Sequence, residues 1–152
     1  MNAEQYYSAV VLAFPPTPPL PAPPPFEGDE DRIRWMNEQW LERGNLVWPP
    51  RPVMLLRLGS AAFGVSQAAM VSPSRMPSIV QPRQKTIAFG RIVLNMSLAS
   101  LGRTFRRDHT TSIYAIQKYR ALVERALGLH RARPENSESP EPGLATTPGS
   151  PG

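Results

Sequence analysis

The stretch "PPTPPLPAPPP" at residues 15–25 constrains this 152-residue chain more than any other. Proline has no amide hydrogen to donate and its ring fixes φ, so these residues enter neither a helix nor a sheet. They read as a polyproline-II linker. A short apolar segment, residues 6–14, lies ahead of it. At the other end, "PENSESPEPGLATTPGSPG" has almost no apolar side chains to bury and is expected to be disordered. Between the two there is room for one domain of ordinary size.

Charge divides the chain in the same way. Residues 1–50 carry three basic and seven acidic side chains, and residues 134–152 carry three glutamates and no base. Residues 51–133 hold fourteen basic residues against only Asp108 and Glu124. A basic block between mildly acidic ends has the electrostatic footprint of a polyanion binder. The chain has no cysteine, which excludes disulfides, thiolate catalysis and Cys-based zinc sites. Its two histidines, His109 and His130, have no paired carboxylates or metal-ligand spacing around them, so neither an enzyme nor a cofactor is expected. No run approaches the roughly 18–20 apolar residues that span a bilayer. "MNAEQYYSAVVLAFPP" has no basic region ahead of its apolar part, so a membrane partner and a secretory leader are not expected either.

The periodicity is helical. "GDEDRIRWMNEQWLERGN" reads as a short amphipathic helix with acids at its start, where the helix dipole favours them, and Gly44 as its stop. Ile33, Met36 and Trp40 fall on one face, widened by Trp35 and Leu41. This helix either packs on its own domain or docks a protein partner. "PVMLLRLGSAAFGVS" predicts a second helix ending near Gly64, and the three prolines of "SPSRMPSIVQP" predict a loop. "RQKTIAFGRIVLNM" continues the helical pattern. Ser97 suits an N-cap for "LASLGRTF", where Leu98, Leu101 and Phe105 repeat at three and four. After a tight turn at Arg106 and Arg107, a last helix begins near Asp108, with Ile113, Ile116, Tyr119, Val123 and Leu127 as its inner stripe. The expected fold is an all-α domain over residues 51–130 with a helix-turn-helix, flanked by a Pro-rich N-terminal arm (1–50) and a disordered acidic tail (131–152). In a helix-turn-helix the second helix enters the DNA major groove leading with its N-terminal residues.

Those leading residues suit the task. Asp108 can accept from cytosine N4, and the methyl of Thr110 or Thr111 can touch a thymine methyl. Arg107 and His109 can donate to guanine or to phosphate. Asp108 serves equally as an N-cap with the threonines as first-turn residues, and it can do both, one oxygen for each.

At these residues the chain resembles the C-terminal DNA-binding domain of the bacterial chromosomal replication initiator family, DnaA. The family's hallmark runs from "PRQ" through "SLxxIGxxF" to "GGRDHTTV". Here "PRQ" stands at residues 82–84, "SLASLGRTF" at 97–105 and "RDHTT" at 107–111. The resemblance covers residues 53–123 and implies binding of double-stranded DNA at DnaA-box-like sites, in regulation of replication initiation or of transcription. By position it implies a minor-groove role for Arg75, backbone contacts for Arg83 and Gln84, and a further basic contact at Arg91. Major-groove roles fall on Asp108, His109 and Thr110, with Arg107 and Thr111 in support. The turn departs from the family: "FRRDH" is one residue shorter than "FGGRDH" and has Arg106 in place of glycine, which offers an extra phosphate contact. Ala99 replaces a common proline, and Ser112 replaces an apolar residue. No GxxxxGK[ST] phosphate loop is present, so no ATPase activity is expected. A cytoplasmic, nucleoid-associated protein follows. The competing reading is an interaction protein that recruits a partner through the Pro-rich arm and the tryptophan-bearing helix and binds DNA only non-specifically.

Overall fold

The computed structural model describes residues 2–3, 19–43 and 50–129. The apolar segment at 6–14, residues 15–18 of the proline run, Gly44, His130 and the acidic tail lie outside the described residues. Residues 19–25 have no regular structure. Among the described residues from 19 on, six helices follow: α1 Asp29–Arg43, α2 Arg51–Phe63, α3 Gln67–Met70, α4 Pro77–Ile92, α5 Leu98–Phe105 and α6 His109–Leu127. Among the described residues there is no strand. The protein is all-α.

Of the two roles open to α1, packing on its own domain is the one observed. Ile33 and Met36 are wholly buried, Trp35 and Gln39 nearly so, and Trp40 packs at the edge of the core. The helix lies against α2 and α6. Lys85 on α4 approaches Asp29 at 2.5 Å, Arg125 on α6 approaches Glu30 at 3.2 Å, and Arg32 donates to the Ala62 carbonyl at 2.6 Å. Phe26, just after the proline run, sets its ring edge-on to Trp35. Leu41, expected on the buried side, instead faces solvent. It lies five residues beyond Met36, about 500° round a helix, which carries it off the stripe.

The loop expected over residues 72–82 is shorter than the prolines suggest. α4 begins at Pro77, and its course includes Pro82. Proline at the first helical position loses nothing, since that amide has no intrahelical partner. Pro82 removes one hydrogen bond, to the carbonyl of Ser78, at an exposed residue of the first turn. The helix continues because its next residues are committed to the core: Ile87, Ala88 and Phe89 are wholly buried.

α4 is the hub. It shares its largest interface with α6 and also touches α2, α3 and α5. Where α2 crosses it the backbones come close. A methyl group on Gly59 would stand 2.5 Å from the Thr86 side chain, and one on Gly90 would stand 2.5 Å from Leu55. Leu55, Leu58, Phe89, Leu101, Phe105 and Val123 fill the centre. Each such burial stabilises the fold by about 1.5–3 kcal/mol.

α5 and α6 start where their caps require. Ser97 accepts from the Ser100 amide at 3.0 Å, and Asp108 accepts from the Thr111 amide at 2.9 Å. The inner stripe of α6 is rotated from the expected one: Ser112, Ala115, Ile116, Val123 and Ala126 are buried, Tyr119 and Leu127 lie at the margin, and Ile113 is exposed. Ile113 matched the apolar spacing, but the Asp108 cap and the turn before it fix which side of α6 meets α4.

Candidate nucleic-acid interface

The turn between α5 and α6 is built by backbone. Arg106 closes α5 in the left-handed region, at φ 56° and ψ 47°. The amide of Arg107 then reaches back to the Gly102 carbonyl at 2.9 Å. The chain passes so close over α5 that a methyl group on Gly102 would lie 2.7 Å from the Arg107 carbonyl oxygen. The glycine that the family's turn has at this place is absent, yet the positive φ is kept, with an arginine in it. Such a residue carries a strain of about 1–2 kcal/mol. Its side chain is exposed.

From this turn Asp108, His109 and Thr110 project outward as the first exposed residues of α6, and Thr111 is half-buried. Both readings of Asp108 start from one fact: it is the N-cap. Hydrogen bonds from Thr111, with the backbone one largest, hold its carboxyl below the usual carboxylate range. It is therefore ionised at neutral pH, at the end of the helix where the dipole is positive.

The second part of the face is the loop at residues 71–76. Arg83 holds it. Nearly the whole of Arg83 is buried, with 3% of its surface exposed. Its Nε donates to the Met70 carbonyl at 2.8 Å, Nη1 to Ser74 at 3.2 Å, and Nη2 to Ser72 at 2.9 Å and Ala69 at 3.5 Å. Burial, and then the charge of Arg107, lower its pKa. Serine hydroxyls complete the loop: Ser72 caps back to the Ala69 carbonyl, and the amides of Ser74 and Met76 donate to the hydroxyls of Ser72 and Ser74. Arg107 donates to the same Ser72 carbonyl that Arg83 uses. The loop and the turn are thus joined at one oxygen.

The expected residues therefore separate. Arg75 is exposed on the loop, and Arg106, Asp108, His109 and Thr110 are exposed at the turn and helix start. Arg107 is half-buried at the join. Arg91 is half-buried and donates to the Met96 carbonyl at 3.0 Å, close to the start of α5. Arg83 and Gln84 do not stand at the surface. Both are buried, and Arg83 has its donors on loop carbonyls, so neither side chain is presented outward as a direct contact with a DNA backbone would require. Arg103 was not anticipated. It is exposed and shares a shallow depression with Ala99, Gly102, Arg106, Arg107 and His109. The signal for it was present: Arg103 falls off the Leu98–Leu101–Phe105 stripe. Among the described residues no group of histidine, aspartate and glutamate could hold a metal ion, and no helix is long and apolar enough to cross a membrane.

An exposed, capped second helix is thus braced by a short first one, beside a loop that carries Arg75. The family of the bacterial dnaA protein helix-turn-helix matches residues 55–118. The likeness to the family is confined to this segment, which is less than half of the chain. The match begins within α2 and ends within α6, so it takes in most of α2, all of α3, α4 and α5, and the N-terminal half of α6. The relatives include the chromosomal replication initiator protein DnaA of Bradyrhizobium sp. (strain ORS 278), 33% identical over 92 residues, covering 57% of this chain and 19% of that protein. The protein of the same name from Rickettsia bellii (strain OSU 85-389) is 37% identical over 68 residues, 44% of this chain and 15% of its own length. That of Thermus thermophilus is 35% identical over 74 residues, 48% and 17% respectively. The chain thus spans less than a fifth of the length of these relatives. No solved structure matches the chain significantly.

Proposed function

We propose that this DnaA-type domain binds double-stranded DNA sequence-specifically, at sites like those of the replication initiators it resembles. The observation that carries the reading is the outward face of α6 at its capped N-terminus: Asp108, His109 and Thr110 stand exposed there, beside Arg106 and Arg107. Base edges are met by Asp108, His109 and Thr110, with Thr111 and Arg107 in support. Arg75, on a loop pinned next to the turn, enters an adjacent minor groove and reads its width. Arg91 and Arg106 contact phosphates, which position the protein without naming a base. Arg83 acts through the loop. It leaves Arg75 free to reach outward.

The relatives are named chromosomal replication initiators, and binding at the same sites sets this chain in control of replication initiation or of transcription from an origin region. Residues 1–152 contain no phosphate loop, and this segment marks or blocks a site rather than melting it. The protein acts in the cytoplasm, on the nucleoid.

Selection of binding sites from random duplex DNA, with the full chain at near-physiological salt, tests the reading. A DnaA-box-like consensus is the expected result. Enrichment of no sequence, with equal affinity for all duplexes, overturns it. The salt must be stated, because phosphate contacts make affinity fall steeply as it rises.

A further inference from the structure

The exposed side of α6 carries more than its first turn. Ser112 is wholly buried, and among the described residues its Oγ has no hydrogen-bond partner. The next two residues are large, apolar and outward: Ile113 is 40% exposed and Tyr114 54%. A buried hydroxyl without a partner is unfavourable, and an isoleucine left in water forgoes the gain of burial. Stability alone would place the apolar side chain at 112 and the polar one at 113. Single exposed apolar residues are ordinary, but these two are consecutive on the outward half of α6. At 100° per residue, Ile113 lies between His109 and Thr110 round the helix axis, and one turn further along it. Whatever His109 and Thr110 face, Ile113 faces as well.

We infer that Ile113 is a base-reading residue whose side chain packs on the 5-methyl group of a thymine in the major groove. The inference rests on the reading of this segment as a sequence-specific binder of duplex DNA. The thymine methyl is the apolar group that the major-groove edge offers, and apolar side chains are its partners. An isoleucine there also acts by rejection. Opposite a cytosine or guanine it would cover a donor or acceptor that it cannot satisfy. Four helical residues advance about 6 Å, and base pairs in duplex DNA are stacked about 3.4 Å apart. With the helix axis running along the groove, Ile113 would meet a base about two steps from the one that His109 meets. Tyr114 takes the neighbouring position, with the Lys118 ammonium 5.7 Å from its ring centre. Its hydroxyl and that ammonium are donors suited to phosphate, and they seat the helix without adding a base preference.

Two steps test the inference on the full chain. Site selection from random duplexes is run with the wild type and with Ile113→Ala, a surface change to a better helix former that leaves the fold intact. The wild-type consensus should contain a thymine that the variant no longer prefers. That thymine is then replaced by deoxyuridine, which removes the methyl and keeps every hydrogen-bonding group. Wild-type affinity should fall about threefold to tenfold, the effect of one methyl contact, while Ile113→Ala binds both duplexes alike. Thr110→Ser, which keeps the hydroxyl and removes the methyl, should leave that position unaffected. The inference fails alone if Ile113→Ala selects the same thymine, responds to deoxyuridine as the wild type does, or if Thr110→Ser abolishes the response. A wild type that enriches no sequence overturns it together with the DNA reading.

Discussion

The loop at residues 71–76 and the turn at residues 106–108 meet at the Ser72 carbonyl, and both present arginines outward, yet they are held by opposite means. The loop depends on a side chain from elsewhere. Arg83 sits a full turn and more into α4 and reaches back to carbonyls at 69, 70, 72 and 74. The turn depends on backbone close to it: the left-handed Arg106, the bare Cα of Gly102 and the Asp108 cap. A connection held from a distance can be lost through one residue outside it. A connection held locally spreads its stability over several small contributions, and each can be altered without losing the rest.

Substitutions should separate the two, and the largest effect belongs to the loop. Arg83→Met should lower unfolding stability by about 2–4 kcal/mol, because several charge-assisted hydrogen bonds go at once. Chemical denaturation measures it. Arg83→Lys should recover less than half, since one ammonium cannot span carbonyls that a planar guanidinium does. Full recovery would mean that charge, and not the fork, holds the loop. At the turn, Gly102→Ala should lower stability by about 1–2 kcal/mol even though alanine favours a helix by about 1 kcal/mol. Its methyl meets a backbone oxygen that has nowhere to move. A neutral or stabilising result would show that the turn has slack.

Arg106→Gly should act in the opposite direction, raising stability by about 0.5–1 kcal/mol through relief of the left-handed arginine. The same change should weaken binding to all duplexes alike and reduce the salt dependence by about one phosphate contact. Melting temperature and salt-dependent titration report the two halves separately. The smallest effect is the acid response of the cap. The folded-state pKa of Asp108 lies below its unfolded value of about 4. Its stabilisation is therefore complete above that value and is lost as pH falls through the lower, folded one. Asp108→Asn, which can still cap, should show a flatter stability profile in that window.

The same contrast explains what could be read in the residues beforehand. Ser97, Asp108 and the apolar spacing of "LASLGRTF" are local signals, and the helix-turn-helix stands where they place it. Arg83 was legible as a basic residue in a familiar motif, but its burial is set by α3 and the loop packing over α4, which no spacing reveals. The α4 start at Pro77 escaped for a related reason: proline disfavours helix on average, while tertiary burial of Ile87 and Phe89 outweighs one lost hydrogen bond. Ile113 shows the limit of periodicity. A position one residue to either side can match the spacing, and the way the turn and the Asp108 cap set α6 against α4 put Ser112 in the core.

Because Arg83 and Arg107 share the Ser72 oxygen, the span from Arg75 to the start of α6 is a rigid gauge rather than a tether. For a reader of duplex DNA, this sets the grammar of the site. An extra base pair between the minor-groove tract and the major-groove core would shift one by about 3.4 Å and turn it by about 35° relative to the other. The loop and the turn, tied at one oxygen, would have to move together. Sites that carry the right bases at the wrong interval would be passed over, and the length of a functional site is written into one carbonyl.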